Sequence, residues 1–551
     1  MSRLFLLLLL PAVLFPQQYA DIIYTNGKFW TVDPARPEAE AVAVIGGRIA
    51  AVGSSREIAA WKGKRTSVID LKKRRVLPGF IDNHTHFMTG GFQLQSVDLR
   101  TAGDEAAFAR IIGERARQRP GRWITGGDWD HDLWKSGRLP TKEMIDSLTG
   151  ATPVLVNRYD GHMALANSAA LALAGITRTT PDPAGGTIVR DPVTGEPTGL
   201  LKDEAMSPVY AVIPPPSDEE MLGAARLALA EARKFGITSI QDMAYSNGDR
   251  DIKTYRELER RGELTARINC VGFISNWRSL SAAGIQVPFG TEKIGLGALK
   301  AFVDGSLGSS TALFFEKFLN EDTYGLPMDV VTDGRLERWM TAADSARLQL
   351  RVHAIGDSAN SLLLDMFGRI VRRNPQWDRR FRIEHAQHIH PKDFSRFASL
   401  GVIAAVQPYH AIDDGRWAVN RIGDVRCRTT YPFRSFLDAG VKLSFGSDWT
   451  VAPLDPLLGI YAAVTRRTID GANPGGWYPE QRITVKEAIE AYTITNAYAA
   501  FEEKEKGSIT PGKLADMVVL SDDILIIDPV RIADTRAVMT ILGGTVIHRS
   551  E

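Results

Sequence analysis

Short apolar runs alternate with longer helix-like stretches through the middle of the chain. Such alternation is typical of strands that are each followed by a helix. Eight of these units predict an α/β fold of the (β/α)8 TIM-barrel type. The predicted strands are Val76–Ile81, Ile237–Gln241, Arg267–Val271, Leu299–Val303, Leu350–His353, Phe381–Glu384, Val402–Val406 and Lys442–Phe445.

The spacing between the first two predicted strands is far too long for one crossover helix. An inserted α/β subdomain is therefore expected at about residues 90–215, with its own strand-like run at Pro153–Val156. We assign the barrel, including this insert, to residues 76–504.

The two ends of the chain share an all-β pattern. Residues 21–31 alternate around an Asn26-Gly27 turn, and residues 538–547 surround a Gly543-Gly544 turn. One small β-sandwich built from both termini, residues 19–75 and 505–551, is the simplest interpretation.

Residues 1–18 differ in character from the rest of the chain. Arg3 precedes an apolar stretch from Leu4 to Phe15, which has the shape of a secretory signal peptide. The stretch is too short to span a bilayer in the mature protein. We expect an exported, periplasmic or extracellular protein; an uncleaved anchor is the alternative.

Charge and cysteine content exclude several classes of protein. The 551 residues include 66 basic and 65 acidic side chains, a net charge of +1, so nothing favours nucleic acid as a partner. Two cysteines cannot form a disulfide framework or a cysteine metal cluster. The oligomeric state stays open, and a homodimer is compatible with the sequence.

His84 and His86 stand at the end of the first predicted strand. Residues i and i+2 of an extended strand point to the same side, so the two imidazoles can face one point. Such a pair offers a divalent metal its first two ligands. The alternative is that both histidines are simply packed or solvated.

Other polar residues occupy corresponding places on other predicted strands. They are Lys300, His353, His385 and Asp448. The carboxyl ends of barrel strands form one mouth, so these side chains are expected to converge there with the histidine pair. One buried histidine alone would more often be a core residue.

Seven motifs along the chain resemble one known family. The chain is similar to the amidohydrolase superfamily and, within it, to the YtcJ-like or amidohydrolase-3 group, which includes N-substituted formamide deformylases. The resemblance spans nearly everything after residue 20. Its motifs are PGFIDNHTH, DGHMALANSAAL, LKAFVDGSLGSSTALF, VHAIGD, RIEHAQ, SFGSDW and GSITPGKLADMVVL.

The resemblance implies a metal site at the barrel mouth. The implied ligands of one metal are His84 and His86, with Asp448 beside it, and those of a second metal are His353 and His385. Zinc is the default metal, with manganese, iron or cobalt as alternatives.

Lys300 matches the family position of a lysine that carbon dioxide converts to a carbamate bridging two metals. A carbamate is an anionic two-oxygen ligand, whereas a free ammonium would repel a cation. The alternative is an ion pair between Lys300 and Asp304, with a single metal in the site.

Asp448 is the implied acid/base. A metal-activated water would lose its proton to Asp448, attack a carbonyl carbon and release the amine of a small-molecule, non-peptide amide. The structural alternative for Asp448 is a turn cap. Functional alternatives are a hydrolase of cyclic amides, esters or N-acyl amino acid derivatives, and a non-catalytic metal- or ligand-binding protein on the same scaffold.

Further candidates surround this set. His162 either contacts the substrate carbonyl oxygen or caps or packs a helix. Residues 127–131 and Trp134 either line the pocket or pack. Gln407 is expected to support the site from behind, and His388 is expected at the surface.

Overall fold

The computed structural model describes residues 18–131, 134–158, 162–183, 185–243 and 248–550. The leader predicted at residues 1–18 lies outside them, except for its last residue. Two compact units are present, one within residues 18–85, 232–241 and 265–550 and one within residues 86–231 and 242–264. In this described part, no helix has the length and apolarity needed to cross a membrane.

Eight described strands form a nearly closed parallel barrel, which confirms the predicted fold class. A bridge between Thr85 and Trp449 connects the first strand to the segment after the last. Each of the eight predicted runs overlaps one barrel strand. In chain order, β1 to β8 are Phe80–Thr85, Ile237–Met243, Arg267–Phe273, Ile294–Phe302, Gln349–Ala354, Arg382–His385, Ile403–Val406 and Leu443–Phe445.

The first predicted strand, Val76–Ile81, is wrong in extent, because two strands meet inside it at Gly79. Arg75–Pro78 pairs antiparallel with Met517–Leu520, outside the barrel. β1 begins only after Gly79, where an added Cβ would lie 2.3 Å from Thr238 Oγ1. The chain therefore passes from the terminal sheet into the barrel at a single residue, Gly79, which has no side chain.

The two ends of the chain form two sheets that share one apolar core, as a β-sandwich requires. The four-stranded sheet has the order Arg48–Gly53, Ala41–Ile45, Ile22–Thr25 and Ser67–Asp70. The six-stranded sheet has the order Thr545–Arg549, Ala537–Leu542, Met517–Leu520, Arg75–Pro78, Lys28–Trp30 and Glu38–Ala39.

The second unit contains a mixed sheet whose strands all fall between residues 97 and 203. Its run Pro153–Val156 is shifted, since the strand is Leu155–Arg158. Phe108, Trp129 and Trp134 pack in its core. The strand order is Gly186–Arg190, Pro197–Asp203, Met163–Ala166, Leu155–Arg158, Gly126–Trp129 and Val97–Asp98.

Helices connect these strands. The α-helices of the described residues are Ser55–Ala59, Phe87–Gln95, Glu105–Gln118, Glu143–Thr149, Ser168–Leu173, Ser207–Val212, Asp218–Lys234, Asp249–Arg260, Trp277–Ala282, Asp329–Thr332, Arg335–Ser345, Asp357–Arg373, Phe394–Leu400, Pro408–Asp414, Ala418–Cys427, Phe433–Asp438, Pro456–Thr465, Val485–Ala491 and Ile494–Ala499. Short 3-10 turns are Glu204–Met206, Ile274–Asn276, Pro391–Asp393, Pro479–Gln481 and Pro529–Asp534, and a short strand, Phe289–Gly290, pairs with β4.

Candidate metal centre

His84 lies inside β1, where every residue of the strand is buried. Its Nδ1 lies 2.6 Å from Glu384 Oε2 on β6. A carboxylate oxygen can only accept, so Nδ1 carries the proton and Nε2 keeps its lone pair. That Nε2 lies 3.1 Å from Lys300 Nζ and 3.6 Å from Asp448 Oδ1. The geometry therefore presents one metal-binding nitrogen toward the predicted site.

Glu384 was not identified from the sequence as a site residue. It is fully buried, and Arg382 Nε lies 2.8 Å from its second carboxylate oxygen. Arg382 in turn donates to the Asn83 carbonyl oxygen, at 3.0 Å, and to Gln241. An Arg and a Glu two residues apart within a buried strand are a signal that could have found this pair, since charged side chains are almost never buried unpaired.

His385, the last residue of β6, is held in a similar manner. Its Nδ1 lies 2.8 Å from Gln407 Oε1, which leaves Nε2 with the lone pair. Its backbone has φ of 73°, an uncommon conformation for a non-glycine residue. The His385 ring centroid lies 4.9 Å from that of His84 and 4.4 Å from that of His353. Gln407 therefore contacts one of the candidate ligands.

His353 keeps its lone pair on Nδ1, whereas His84 and His385 keep theirs on Nε2. Its Nε2 donates to the Gly305 carbonyl oxygen at 3.0 Å, so Nδ1 keeps the lone pair. The neighbouring Asp304 carboxylate accepts backbone N–H groups of Leu313, Ile355 and Gly356 at 2.8–3.0 Å. Asp304 is therefore used to shape the loops rather than to pair with Lys300, which contacts His84 instead.

Burial sets the protonation of these groups. Burial, together with the nearby Lys300 charge, lowers the pKa of His84 to about 4 and that of His353 to about 3. Burial, with His353 beside it, also lowers the pKa of His385 well below its usual value. All three imidazoles are consequently neutral near pH 7. Burial lowers the pKa of Lys300 to about 8, against the opposing effects of Glu384 and Asp448.

Asp448 follows β8 and has φ of 58°. Its backbone N–H donates to the His84 carbonyl oxygen at 2.7 Å. Its Oδ2 lies 4.0 Å from His385 Nδ1. Asp82, which the sequence analysis also missed, accepts the backbone N–H groups of His84 and Ser447 at 3.0 and 3.1 Å. Asp82 thus ties β1 to the segment that carries Asp448.

His86 follows β1 two residues after His84 and is half-buried. His84, His86 and Asp448 offer one ligand atom each, and these atoms lie within 4.8 Å of one another. The neutral imidazoles of His84, His353 and His385, whose second nitrogens are occupied, and a carboxylate such as that of Asp448 are ligands that zinc and similar divalent metals prefer. The donor set therefore fits a divalent metal.

The remaining candidates have the following surroundings. His162, in the second unit, has an exposed side chain whose Nδ1 lies 2.9 Å from Asp203 Oδ1. Trp129 and Trp134 pack in that unit's core, where their indole N–H groups donate to backbone carbonyl oxygens. The surface prediction for His388 is wrong: it is buried, because its backbone N–H donates to the carbonyl oxygen of Ile355 just after β5.

Several known proteins are similar in sequence to this chain over most of its length. The protein LONG AFTER FAR-RED 3 of Arabidopsis thaliana is 39% identical, covering 91% of this chain and 87% of the relative. The putative amidohydrolase YtcJ of Bacillus subtilis is 32% identical, covering 96% and 99%. The N-substituted formamide deformylase of Arthrobacter pascens is 29% identical, covering 92% and 94%.

A solved structure and a family profile agree with these relatives. An uncharacterized metal-dependent hydrolase from Pyrococcus horikoshii superposes with a TM-score of 0.76 at 26% identity, covering 92% of this chain and 99% of that one. The profile of the amidohydrolase family matches residues 67–548. The resemblance read from the motifs is confirmed, and the chain belongs to the amidohydrolase family.

Proposed function

We propose that this metal-dependent hydrolase cleaves the C–N bond of a small non-peptide amide, with Asp448 as the acid/base. The observation that carries the proposal is the position of the Asp448 carboxylate, 3.6 Å from the metal-facing nitrogen of His84. A protein that only stores a metal needs ligands, but it does not need a carboxylate that can also move a proton. The Arthrobacter relative, whose name describes a formamide deformylase, supports an amide as the bond type.

The proposed centre holds two divalent metals, zinc by default. His84, His86 and Asp448 would hold one, and His353 and His385 the other. When bound, the metal supplies Lewis acidity to a carbonyl oxygen and makes a water molecule more acidic.

Lys300, converted to a carbamate, would supply an anionic ligand to this centre. Only 1% of its surface is exposed, and its pKa of about 8 leaves part of the population as the neutral amine at pH 7. The neutral nitrogen attacks carbon dioxide, forms an N–C bond and loses one proton. The buried cations Arg351 and Arg382 favour the resulting negative charge.

Asp448 then performs the proton transfers. Its carboxylate takes a proton from the attacking water as the C–O bond forms. It returns that proton to the leaving nitrogen as the C–N bond breaks, so the products are a carboxylic acid and an amine. The backbone hydrogen bond from Asp448 to His84 keeps the carboxylate beside the donor set during both transfers.

The proposal extends to the role of His162 and to the location of the protein. His162 is proposed to contact the substrate carbonyl oxygen, with Asp203 orienting its ring from Nδ1. Export of the protein is proposed from the apolar residues 4–15 that follow Arg3.

The test combines metal analysis with a substrate panel. Wild type and Asp448→Asn are assayed for bound metal by mass spectrometry and for hydrolysis of small amides and esters, with the exposed Asp534→Asn as the matched control. We expect Asp448→Asn to lower kcat by roughly 100-fold or more and Asp534→Asn to match wild type.

Two results would overturn the proposal. A metal-loaded wild type that hydrolyses no member of a broad panel would favour a binding protein. An Asp448→Asn variant with wild-type kcat on a good substrate would remove Asp448 from the chemistry.

A further inference from the structure

A cavity of about 790 Å³ opens beside Lys300 and belongs entirely to the barrel unit. Phe302 lies on the same strand as Lys300, with its ring centroid 5.0 Å from Lys300 Nζ and 5.2 Å from the His353 ring. One aromatic ring therefore borders both the cavity and the candidate metal centre. The volume is in the range of small-molecule sites.

Most of the cavity wall is apolar, and much of it is exposed. Phe273 is 42% exposed, Leu326 is 61% exposed and Met328 is 37% exposed. The indole of Trp339 and the phenyl ring of Phe302 complete an apolar lining. Large apolar side chains that gather around a concave site, instead of being scattered singly, indicate a surface that binds something.

Backbone hydrogen bonds hold in place the part of the wall formed by residues 326–328. Leu326 N–H donates to the Thr311 carbonyl oxygen at 3.1 Å, and Met328 N–H donates to that of Val303 at 2.9 Å. Gly325, directly before Leu326, has φ of 90°, and a Cβ there would lie 1.9 Å from the Ala312 carbonyl oxygen. The segment therefore cannot easily rearrange to bury Leu326, and the apolar surface is preformed.

Charged groups at the cavity do not point to an ionic ligand. The Arg335 guanidinium lies over the Trp339 ring at 5.6 Å and pairs with Asp333 at 2.6 Å. Lys300, at the inner end, is used by the candidate metal centre. Asp329 lies at the exposed rim, at the first residue of a short helix.

We propose that this cavity binds an uncharged apolar substituent, aryl or branched alkyl, of the substrate whose C–N bond is cleaved at the adjoining centre. The inference rests on the proposed hydrolase function and adds to it a substrate class. The reacting amide lies toward Lys300 and the histidines, and the substituent lies against Leu326, Met328 and Trp339.

The test compares amides that differ only in one group. N-methyl, N-isobutyl and N-benzyl acetamides are compared with the corresponding acyl-side series and with benzyl compounds carrying a para-carboxylate or a para-aminomethyl group. We expect kcat/KM of the best benzyl or isobutyl amide to exceed that of its methyl analogue by roughly 50-fold. Both charged benzyl compounds should lose most of this gain.

Two variants locate the effect in the cavity. Leu326→Asp should lower kcat/KM for the best apolar amide by roughly 10-fold or more, and should lower kcat/KM for the methyl amide by a much smaller factor. Leu319→Asp is the matched control, because Leu319 is 65% exposed on the same stretch of chain but does not line the cavity. The Kd of the benzyl amide, measured by calorimetry for Asp448→Asn alone and combined with Leu326→Asp, tests the contribution of Leu326 to binding without turnover.

The outcomes separate the two proposals. Equal kcat/KM across the series, or a Leu326→Asp variant that behaves like Leu319→Asp, overturns the cavity assignment and leaves the hydrolase intact. Preference for the aminomethyl compound would also overturn it, since the site would then select a cation. Tight, Leu326-dependent binding of the benzyl amide without hydrolysis would support the cavity and overturn the proposed function.

Discussion

Replacing Glu384 with glutamine should weaken metal binding through His84. Glu384 is fully buried, with Oε2 2.6 Å from His84 Nδ1 and Oε1 2.8 Å from Arg382 Nε. Burial alone would raise the pKa of this carboxyl, but Arg382 and His84 lower it, so it is ionised at neutral pH. Glutamine keeps the shape and one acceptor oxygen but removes the charge. The perturbation is therefore electrostatic, and it leaves no cavity.

Two magnitudes follow from this contact. Loss of a partner behind a metal-bound histidine typically lowers metal affinity about 10- to 100-fold, which corresponds to about 1.4–2.8 kcal/mol. Removing the carboxylate also leaves the Arg382 guanidinium buried without its anion, which costs about 3–5 kcal/mol of stability in comparable buried pairs. The first effect is specific to the site, whereas the second would follow at any buried ion pair.

The Arg267–Asp516 pair is a matched control for the second effect. Both side chains are 4% exposed, and Arg267 donates to Asp516 at 2.7 and 2.9 Å. In the described part of the chain, this carboxylate accepts hydrogen bonds from Arg267 and from the backbone N–H of Gly543, neither of which is a histidine. Glu384→Gln, Asp516→Asn and wild type would be compared by zinc competition with a chromogenic chelator and by urea unfolding of the metal-free proteins.

We expect both variants to lose stability and only Glu384→Gln to lose zinc affinity. The reasoning fails if Glu384→Gln binds zinc as tightly as wild type, because His84 would then not depend on this hydrogen bond. It fails equally if Asp516→Asn loses as much affinity as Glu384→Gln, since the loss would then be a general effect of destabilisation.

Two other expectations concern stability. Burial alone would raise the pKa of Asp516, but Arg267 lowers this pKa below its usual value. The ionised Asp516 carboxylate should therefore stabilise the fold fully above about pH 4, and this stabilisation should disappear as the pH falls through the folded-state pKa. Urea unfolding at several pH values should show the gap between wild type and Asp516→Asn constant from pH 8 to 5 and shrinking below about pH 4; a gap that widened on acidification would contradict this. Gly79→Ala should cost about 1–3 kcal/mol by overpacking because its Cβ would lie 2.3 Å from Thr238 Oγ1. Adding Thr238→Ala should recover part of that loss, and no recovery in the double variant would place the strain elsewhere.

Most of the barrel could be predicted because its strands are buried on both faces. Parallel strands covered by helices are nearly continuous apolar runs, and such runs are visible without any alignment. The same property makes the junction at Gly79 invisible in the sequence, because Val76–Ile81 is one apolar run although its two halves belong to different sheets. The beginning of β4 was missed for the opposite reason. Gly295 and Gly297 interrupt its apolar pattern, so the run was recognised only from Leu299.

His388 shows a second limit of the same reasoning. It follows β6 in a segment with further histidines and a proline, which is typical of an exposed loop. Its burial depends on a backbone hydrogen bond to Ile355 and a contact with Thr430 Oγ1 at 2.7 Å. Both partners are distant in sequence, and neither produces a local pattern. A polar residue beside a site can therefore be predicted by type but not by burial.

The donors and the residues that orient them differ in how they can be found. Histidine, lysine and aspartate at strand ends are unusual there, so His84, Lys300 and Asp448 can be identified from residue type and position. Glu384 and Asp82 act through hydrogen bonds to those donors, and from the sequence they resemble ordinary strand residues. The cavity wall is harder still to predict, because Leu326 and Met328 are common residue types in a loop, and the backbone hydrogen bonds to Thr311 and Val303 that help to position them join residues distant in sequence. Under the proposed function, strand ends would carry the chemistry and a loop would select the substrate. A family member can therefore be recognised by its metal centre while its substrate has to be argued from the shape and polarity of the adjoining cavity.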